Sequence, residues 1–337
     1  MGDGWEVDSL HRVGLNHDQI KDVIVNLATT SSNNDFRSII VVKNGKLVVE
    51  QYFNSYRAET IHDIRSAGKA FTGTLIGIAI DKGLIKSTTE KVIPFFDNYP
   101  EYQNKGNGKE EITVENLLNM SSGLDADVDD FRSPGNEARL VESDNFLKFV
   151  LDLPMKFTPG KQYVYNSATC YLAGAVVEKV SGMTLSSFAD QHLFGLLDIN
   201  QYFWAKGPNN TTYAMGNLYL TARDFAKLGY LYLHKGQWQG QQILSKKWVK
   251  ETLRNHFDVN IMNIQLGYTR FFLYAKRKVF GKEYEVFYAS GNGGNIMAMV
   301  PELDLIISFQ QSAYGQGYPH FRAFSAIDGI IKACLLK

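Results

Sequence analysis

Apolar residues at Ile20, Val23, Ile24 and Leu27 recur at the spacing of one helix face, so residues 15–28 are expected to form an N-terminal amphipathic helix. The pattern then changes. Ile39-Ile40-Val41-Val42 and Leu47-Val48-Val49 flank Asn44-Gly45, and Asn-Gly between such runs predicts a tight hairpin, because both turn positions want positive φ. Near the other end, residues 284–288, 295–300 and 305–310 read as strands, with turns at 291–294 and at Pro301-Glu302-Leu303-Asp304. A last apolar-periodic stretch, 321–336, reads as a closing helix. Helical spacing fills most of the middle, at 67–83, 113–120, 144–152, 168–181, 185–194, 221–235 and 245–254. The pattern predicts an α+β fold: an antiparallel sheet built from both chain ends, flanked by terminal helices, with a large helical insertion. Residues 1–65 and 261–337 would form the sheet domain and residues 66–260 a mainly helical domain. No internal repeat is visible.

Composition narrows the function classes. The chain has 337 residues, 45% of them hydrophobic and 21% charged, which is ordinary for a globular protein. Its 35 basic and 35 acidic residues cancel, so neither a nucleic-acid partner nor a polybasic membrane anchor is indicated. Cys170 and Cys334 are too few for a disulfide scaffold or a zinc cluster, and their apolar neighbours mark them as core residues. No stretch reaches the roughly 18 apolar residues of a membrane span. Met1-Gly2-Asp3-Gly4-Trp5 has no charged-then-apolar leader pattern. This leaves the compartment open: periplasmic or secreted if a leader was removed, otherwise cytoplasmic.

The sharpest chemical feature is Ser66-Ala67-Gly68-Lys69, ahead of a segment that is apolar or small on every side, residues 70–80. Such a helix should be buried, and lysine is seldom buried without a task. Residues i and i+3 share a helix face, so the Lys69 ammonium can reach the Ser66 hydroxyl. Burial is expected to lower the lysine pKa and make it a possible general base. Ser66 would stand at a helix N-terminus, where backbone N–H groups can stabilise an oxyanion. The four letters alone are weak, since composition supplies about one Ser-x-x-Lys in a chain this long; the buried-helix context gives them weight.

A second feature follows the Pro159-Gly160 turn. There, Lys161-Gln162-Tyr163-Val164-Tyr165-Asn166-Ser167 should be extended, so that Tyr165 and Ser167 project together ahead of a helix starting near Ala168. A phenol beside a lysine can carry protons to and from a leaving group; the competing reading is a buried tyrosine with a satisfied hydroxyl. The third feature, Ala289-Ser290-Gly291-Asn292-Gly293-Gly294-Asn295, lies between two strands. Glycines there mark either close backbone approach to a ligand or a plain turn. Ile296 occupies the last glycine position of a dinucleotide fingerprint, and no strand-to-helix setting is present.

Together these features resemble the serine β-lactamase and penicillin-binding-protein superfamily. The nearest branch looks like class C β-lactamases with their related esterases and 6-aminohexanoate-dimer-hydrolase-like amide hydrolases. Leu117-Leu118-Asn119-Met120-Ser121-Ser122-Gly123-Leu124, the segment from Leu220 to Gly229 and the one from Met299 to Leu305 resemble further marks of that family, over about residues 15–336. The resemblance implies a β-lactamase/transpeptidase-like fold, Ser66 as acyl-accepting nucleophile, and Lys69 and Tyr165 sharing proton transfer, either one serving as the acylation base. It implies an oxyanion hole from the N–H of Ser66 and one on Gly291–Asn292, with Ser167, Ser290, Gly291 and Asn292 as substrate-binding positions. It implies no metal and no cofactor, and a small-molecule ester or amide as substrate.

Two departures matter. Ser167 stands where β-lactamases usually have Asn. Ala289-Ser290-Gly291 stands where the family has Lys-Thr-Gly. The missing lysine helps hold a substrate carboxylate, and losing a charge-assisted contact costs roughly 1.5–3 kcal/mol, about ten- to a hundredfold in binding. Weak β-lactamase activity is therefore expected, with a β-lactamase or a D-amino-acid peptidase or amidase as the alternative. The rivals are less well supported. A Ser-His-Asp hydrolase lacks a G-x-S-x-G elbow. In Asp125-Ala126-Asp127-Val128-Asp129-Asp130, Asp130 replaces the turn glycine of a calcium loop, so a solvated acidic loop is expected. A non-catalytic binding homologue would have no reason to keep a buried lysine beside a serine.

Overall fold

The computed structural model describes residues 2–30, 34–99, 102–254, 257–261 and 264–336. An eight-stranded antiparallel sheet forms from β1 (Phe36–Lys43), β2 (Lys46–Tyr52), β3 (Phe257–Ile261), β4 (Ile264–Thr269), β5 (Phe272–Val279), β6 (Lys282–Gly291), β7 (Asn295–Val300) and β8 (Leu305–Gln311), in the order β2-β1-β8-β7-β6-β5-β4-β3. The chain ends meet near one edge of it, where β1 pairs β8 from Phe36↔Gln311 to Lys43↔Leu305. Asn44 and Gly45 adopt φ of 52° and 74°, as the hairpin reading required. The apolar run of β1 is buried on both faces, whereas edge strand β2 buries only Leu47 and Val49 on alternate positions.

Helices cover both faces. These are α1 (His17–Thr29), α2 (Lys69–Asp81), α3 (Ser167–Ser181), α4 (Ala222–Leu233) and α5 (Tyr318–Leu335), with shorter helices between them. Gly229 of α4 sits against Met297 and Ile306, while Phe324 of α5 meets the Tyr288 ring at 5.5 Å. Tyr288 pairs with Ala298, the neighbour of Met297, and successive strand residues face opposite ways. So α4 and α5 lie on opposite faces of the sheet, with α1 packed on α5. The fold is α+β with a large antiparallel sheet, as the pattern predicted.

Helix α2 is buried from Lys69 to Ala79 and packs on α3. A short three-stranded sheet, His62–Asp63, Leu218–Leu220 and Tyr202–Trp204, leads the chain into it. Among the described residues no helix is long and apolar enough to cross a membrane.

Candidate active site

The residues before α2 make a sharp entry. Arg65–Gly68 is a 3-10 turn leading directly into the helix, and Arg65 itself has φ of 52°. Ser66 is half-buried and Lys69, 2% exposed, is the first residue of α2. The i, i+3 relation has its expected result: Lys69 Nζ donates to Ser66 Oγ at 3.1 Å. A second bond, 2.7 Å to the carbonyl of Met215, fixes the ammonium from the far side. The Tyr165 ring lies with its centroid 5.1 Å from Nζ. Ser66, Lys69 and Tyr165, separated in sequence, are thus one cluster.

The charge state of Lys69 corrects an expectation. Burial does pull its pKa down. The negative potential of Tyr165, Glu137 and Cys170, with a hydrogen bond to Tyr165, outweighs burial and holds the ammonium above its ordinary 10.5.

The glycine strand closes the other side. A side-chain carbon at Gly291 would fall 2.0 Å from the Ile64 carbonyl oxygen and 3.1 Å from the Ala67 nitrogen, so only glycine lets β6 approach the Ser66 turn. Ser290 is half-buried beside it, and Ala289, at the position of the absent lysine, is fully buried. Asn292 is exposed. Its side-chain oxygen accepts the Gly315 N–H at 2.8 Å and its carbonyl accepts from Asn295 Nδ2 at 2.9 Å, so the side chain ties two loops together.

Ser167 differs from the extended arrangement expected of it. Asn166 caps α3 by accepting the Thr169 N–H at 2.7 Å, and the helix begins at Ser167. Ser167 is 1% exposed, its Oγ sealed from solvent and without a hydrogen-bond partner among the described residues. Tyr165, outside the helix, stays half-buried. The acidic loop after Leu124 lies near the site, since the Val128 N–H donates to the Tyr165 carbonyl at 3.3 Å. Among the described residues no group of His, Cys, Asp and Glu could hold a metal ion.

Several neighbours were invisible to the motif reading. Met215 contributes only a carbonyl, a role no side-chain pattern announces. Glu137, at the start of a short helix, contributes charge. Asp63 and Arg65 form an ion pair at 3.1 Å directly ahead of Ser66, and only the alternation of opposite charges before the serine hinted at it. Of the aromatic residues, Trp204, Phe271, Phe272 and Tyr288 are core, whereas Tyr314 is 38% exposed and Tyr202 and Tyr219 are half-buried.

Known proteins of this shape are related to the chain only distantly in sequence. A family model described as Beta-lactamase matches residues 37–319. The chain is 23% identical to the 6-aminohexanoate-dimer hydrolase of Paenarthrobacter ureafaciens, over 64% of this chain and 56% of that enzyme. It spans about half or less of the length of the relatives that carry a named activity. A penicillin-binding protein homologue from Pyrococcus abyssi superposes with a TM-score of 0.74 at 19% identity, covering 94% of this chain and 77% of that one. A family VIII carboxylesterase superposes with a TM-score of 0.73 at 18% identity, covering 95% and 99%. With its family model matched from β1 to the start of α5, the chain belongs to the Beta-lactamase family, and with it to the serine hydrolases.

Proposed function

We propose that the protein hydrolyses an ester or a small amide through an acyl-enzyme on Ser66. The observation that carries this is the buried Lys69 ammonium, 3.1 Å from the half-buried Ser66 Oγ. Ser66 Oγ attacks the carbonyl carbon and its proton passes to the Lys69–Tyr165 pair, which enters the step one proton short, as the Lys69 amine or the Tyr165 phenolate. The proton then returns to the leaving alcohol or amine, and water repeats the sequence to release the acid. The backbone N–H groups of Ser66 and of the Gly291–Asn292 stretch hold the oxyanion.

The substrate class follows from charge. Buried Ala289 offers no cation, and Arg65, the arginine beside Ser66, is engaged with the carboxylate of Asp63. A substrate that needs its own carboxylate held is therefore disfavoured, and β-lactam turnover should be weak. The related hydrolases of esters and amide dimers agree with this reading.

Intact-mass spectrometry after a fluorophosphonate probe tests it, on wild type and Ser66→Ala, beside turnover of p-nitrophenyl butyrate and nitrocefin. A single adduct lost in Ser66→Ala, with ester turnover and little nitrocefin hydrolysis, is expected. Strong nitrocefin turnover would move the answer to β-lactamase. No adduct and no turnover in folded protein would leave a binding homologue.

A further inference from the structure

Arg65 has a backbone conformation its side chain does not favour. At φ 52° it lies in the left-handed region, where a Cβ crowds the following carbonyl and where glycine or asparagine is the usual occupant. It also directly precedes Ser66, so whatever fixes residue 65 fixes the direction in which Ser66 leaves the turn.

The fixing group is Asp63. Its Oδ1 accepts the Arg65 backbone N–H at 2.8 Å. Its Oδ2 stands 3.1 Å from Arg65 Nε and accepts from Asn217 Nδ2 at 3.0 Å. The carboxylate is 4% exposed and belongs to the short strand His62–Asp63, which pairs with Leu218–Leu220. One side chain therefore grips the main chain and the side chain of the same residue. Two further contacts complete the hold: the Arg65 guanidinium lies over the Tyr314 ring at 4.5 Å, and Gly216 packs on the Arg65 carbonyl, 3.0 Å from where a side-chain carbon would be.

We propose that Asp63 is a positioning residue for the acyl transfer: by clamping Arg65 in the left-handed conformation it sets Ser66 Oγ on Lys69 and against the Gly291 strand. Asp63 does not touch the reacting atoms. The proposal rests on the reading of Ser66 as nucleophile. It implies that the carboxylate is needed because residue 65 carries a side chain, and that a glycine there would make the clamp dispensable.

The test compares Asp63→Ala, Asp63→Ala/Arg65→Gly and Asp63→Ala/Arg65→Ala with wild type and Ser66→Ala. The readouts are the rate of fluorophosphonate labelling at Ser66, and kcat and KM for p-nitrophenyl butyrate, on variants whose folding is checked by circular dichroism. Losing the compensation for a left-handed arginine should lower labelling and kcat about tenfold, with KM little changed. The glycine double variant should recover most of that loss. The alanine double variant, which removes the same charge but keeps the steric penalty, should not. Equal recovery by alanine and glycine would mean that only the charge matters and would overturn the clamp, as would unchanged labelling in Asp63→Ala. Should the single variant fail to fold, the two double variants still decide between charge and conformation. Labelling that persists in Ser66→Ala would instead overturn the nucleophile reading.

Discussion

His62, one residue before the clamp, is held neutral by its surroundings. Its Nε2 lies 3.0 Å from the Gln311 carbonyl and so donates, leaving Nδ1 to accept from the Tyr56 hydroxyl at 2.9 Å. Burial, helped by the nearby Arg37 and Arg65 and opposed by the bonds from Gln311 and Asn295, pushes its pKa down from 6.5 to about 4. The unfolded chain then binds a proton that the native chain refuses over that interval, so stability falls as pH drops below 6.5 and the loss is complete near 4. Urea unfolding of wild type and His62→Gln at pH 7 and at pH 4.5 checks this. The wild type should lose more stability on acidification than the variant. Parallel losses would show that His62 does not titrate in that window.

Helix α2 shows which parts of the element pattern the sequence carried. Gly77 lies within it, and glycine inside a helix normally costs about 0.5–1 kcal/mol relative to alanine. Here alanine should be worse. Its Cβ would meet the Trp248 ring at 2.5 Å, and that ring is held by Tyr232 through its Nε1 at 3.3 Å and by Arg270 stacked at 4.4 Å. Overpacking costs about 1–3 kcal/mol, more than the helix propensity returns, so Gly77→Ala should lower stability by about 1–2 kcal/mol. A gain in urea midpoint would overturn that.

Elements with a strong apolar period or a local turn signal were legible: α1, the Asn44-Gly45 hairpin, β6 to β8 and the buried helices. Others were not, for physical reasons. β3 to β5 went unread because the turn from β4 to β5 uses Arg270 and Phe271, with φ of 43° and 69°, in place of a glycine or asparagine. Tertiary bonds supply what local chemistry lacks there, from the Arg270 N–H to Asn119 Oδ1 at 2.9 Å and from the Phe271 N–H to the Leu118 carbonyl at 3.1 Å. The helix Glu137–Glu142 buries only Leu140, so it has no periodicity to read. The site divides in the same way. Ser66 and Lys69 are set by spacing along one turn. The Met215 carbonyl, the Glu137 charge and the Asn217 contact to Asp63 come from distant chain and exist only once the fold is made. The helix begins one residue earlier than the pattern indicates: Asn166 ahead of Ser-Ala-Thr is its cap, and Ser167 is its first residue.

At the scale of the whole molecule, the sheet can close only when the two chain ends meet, so the contacts that join them should carry much of its stability. Such pairings also form slowly, because loop closure must precede any gain from them. Asp35, at the entrance to β1, and Arg322, in α5, are 287 positions apart, pair at 2.8 Å and are only 7% and 8% exposed. Tyr318 donates to the same carboxylate, and Arg322 also donates to Gln311 at the end of β8. A buried pair is a poor source of net stability, but removing one partner is expensive because the other remains desolvated. Arg322→Ala should therefore cost about 3–5 kcal/mol. Asp35→Asn combined with Arg322→Met keeps volume without a buried charge and should cost clearly less than the single change. Urea titration of the two variants at neutral pH decides the matter. If the double variant is no more stable than the single one, the pair holds the chain ends together by its attraction, and the sheet closes on charge rather than on the apolar run of β1.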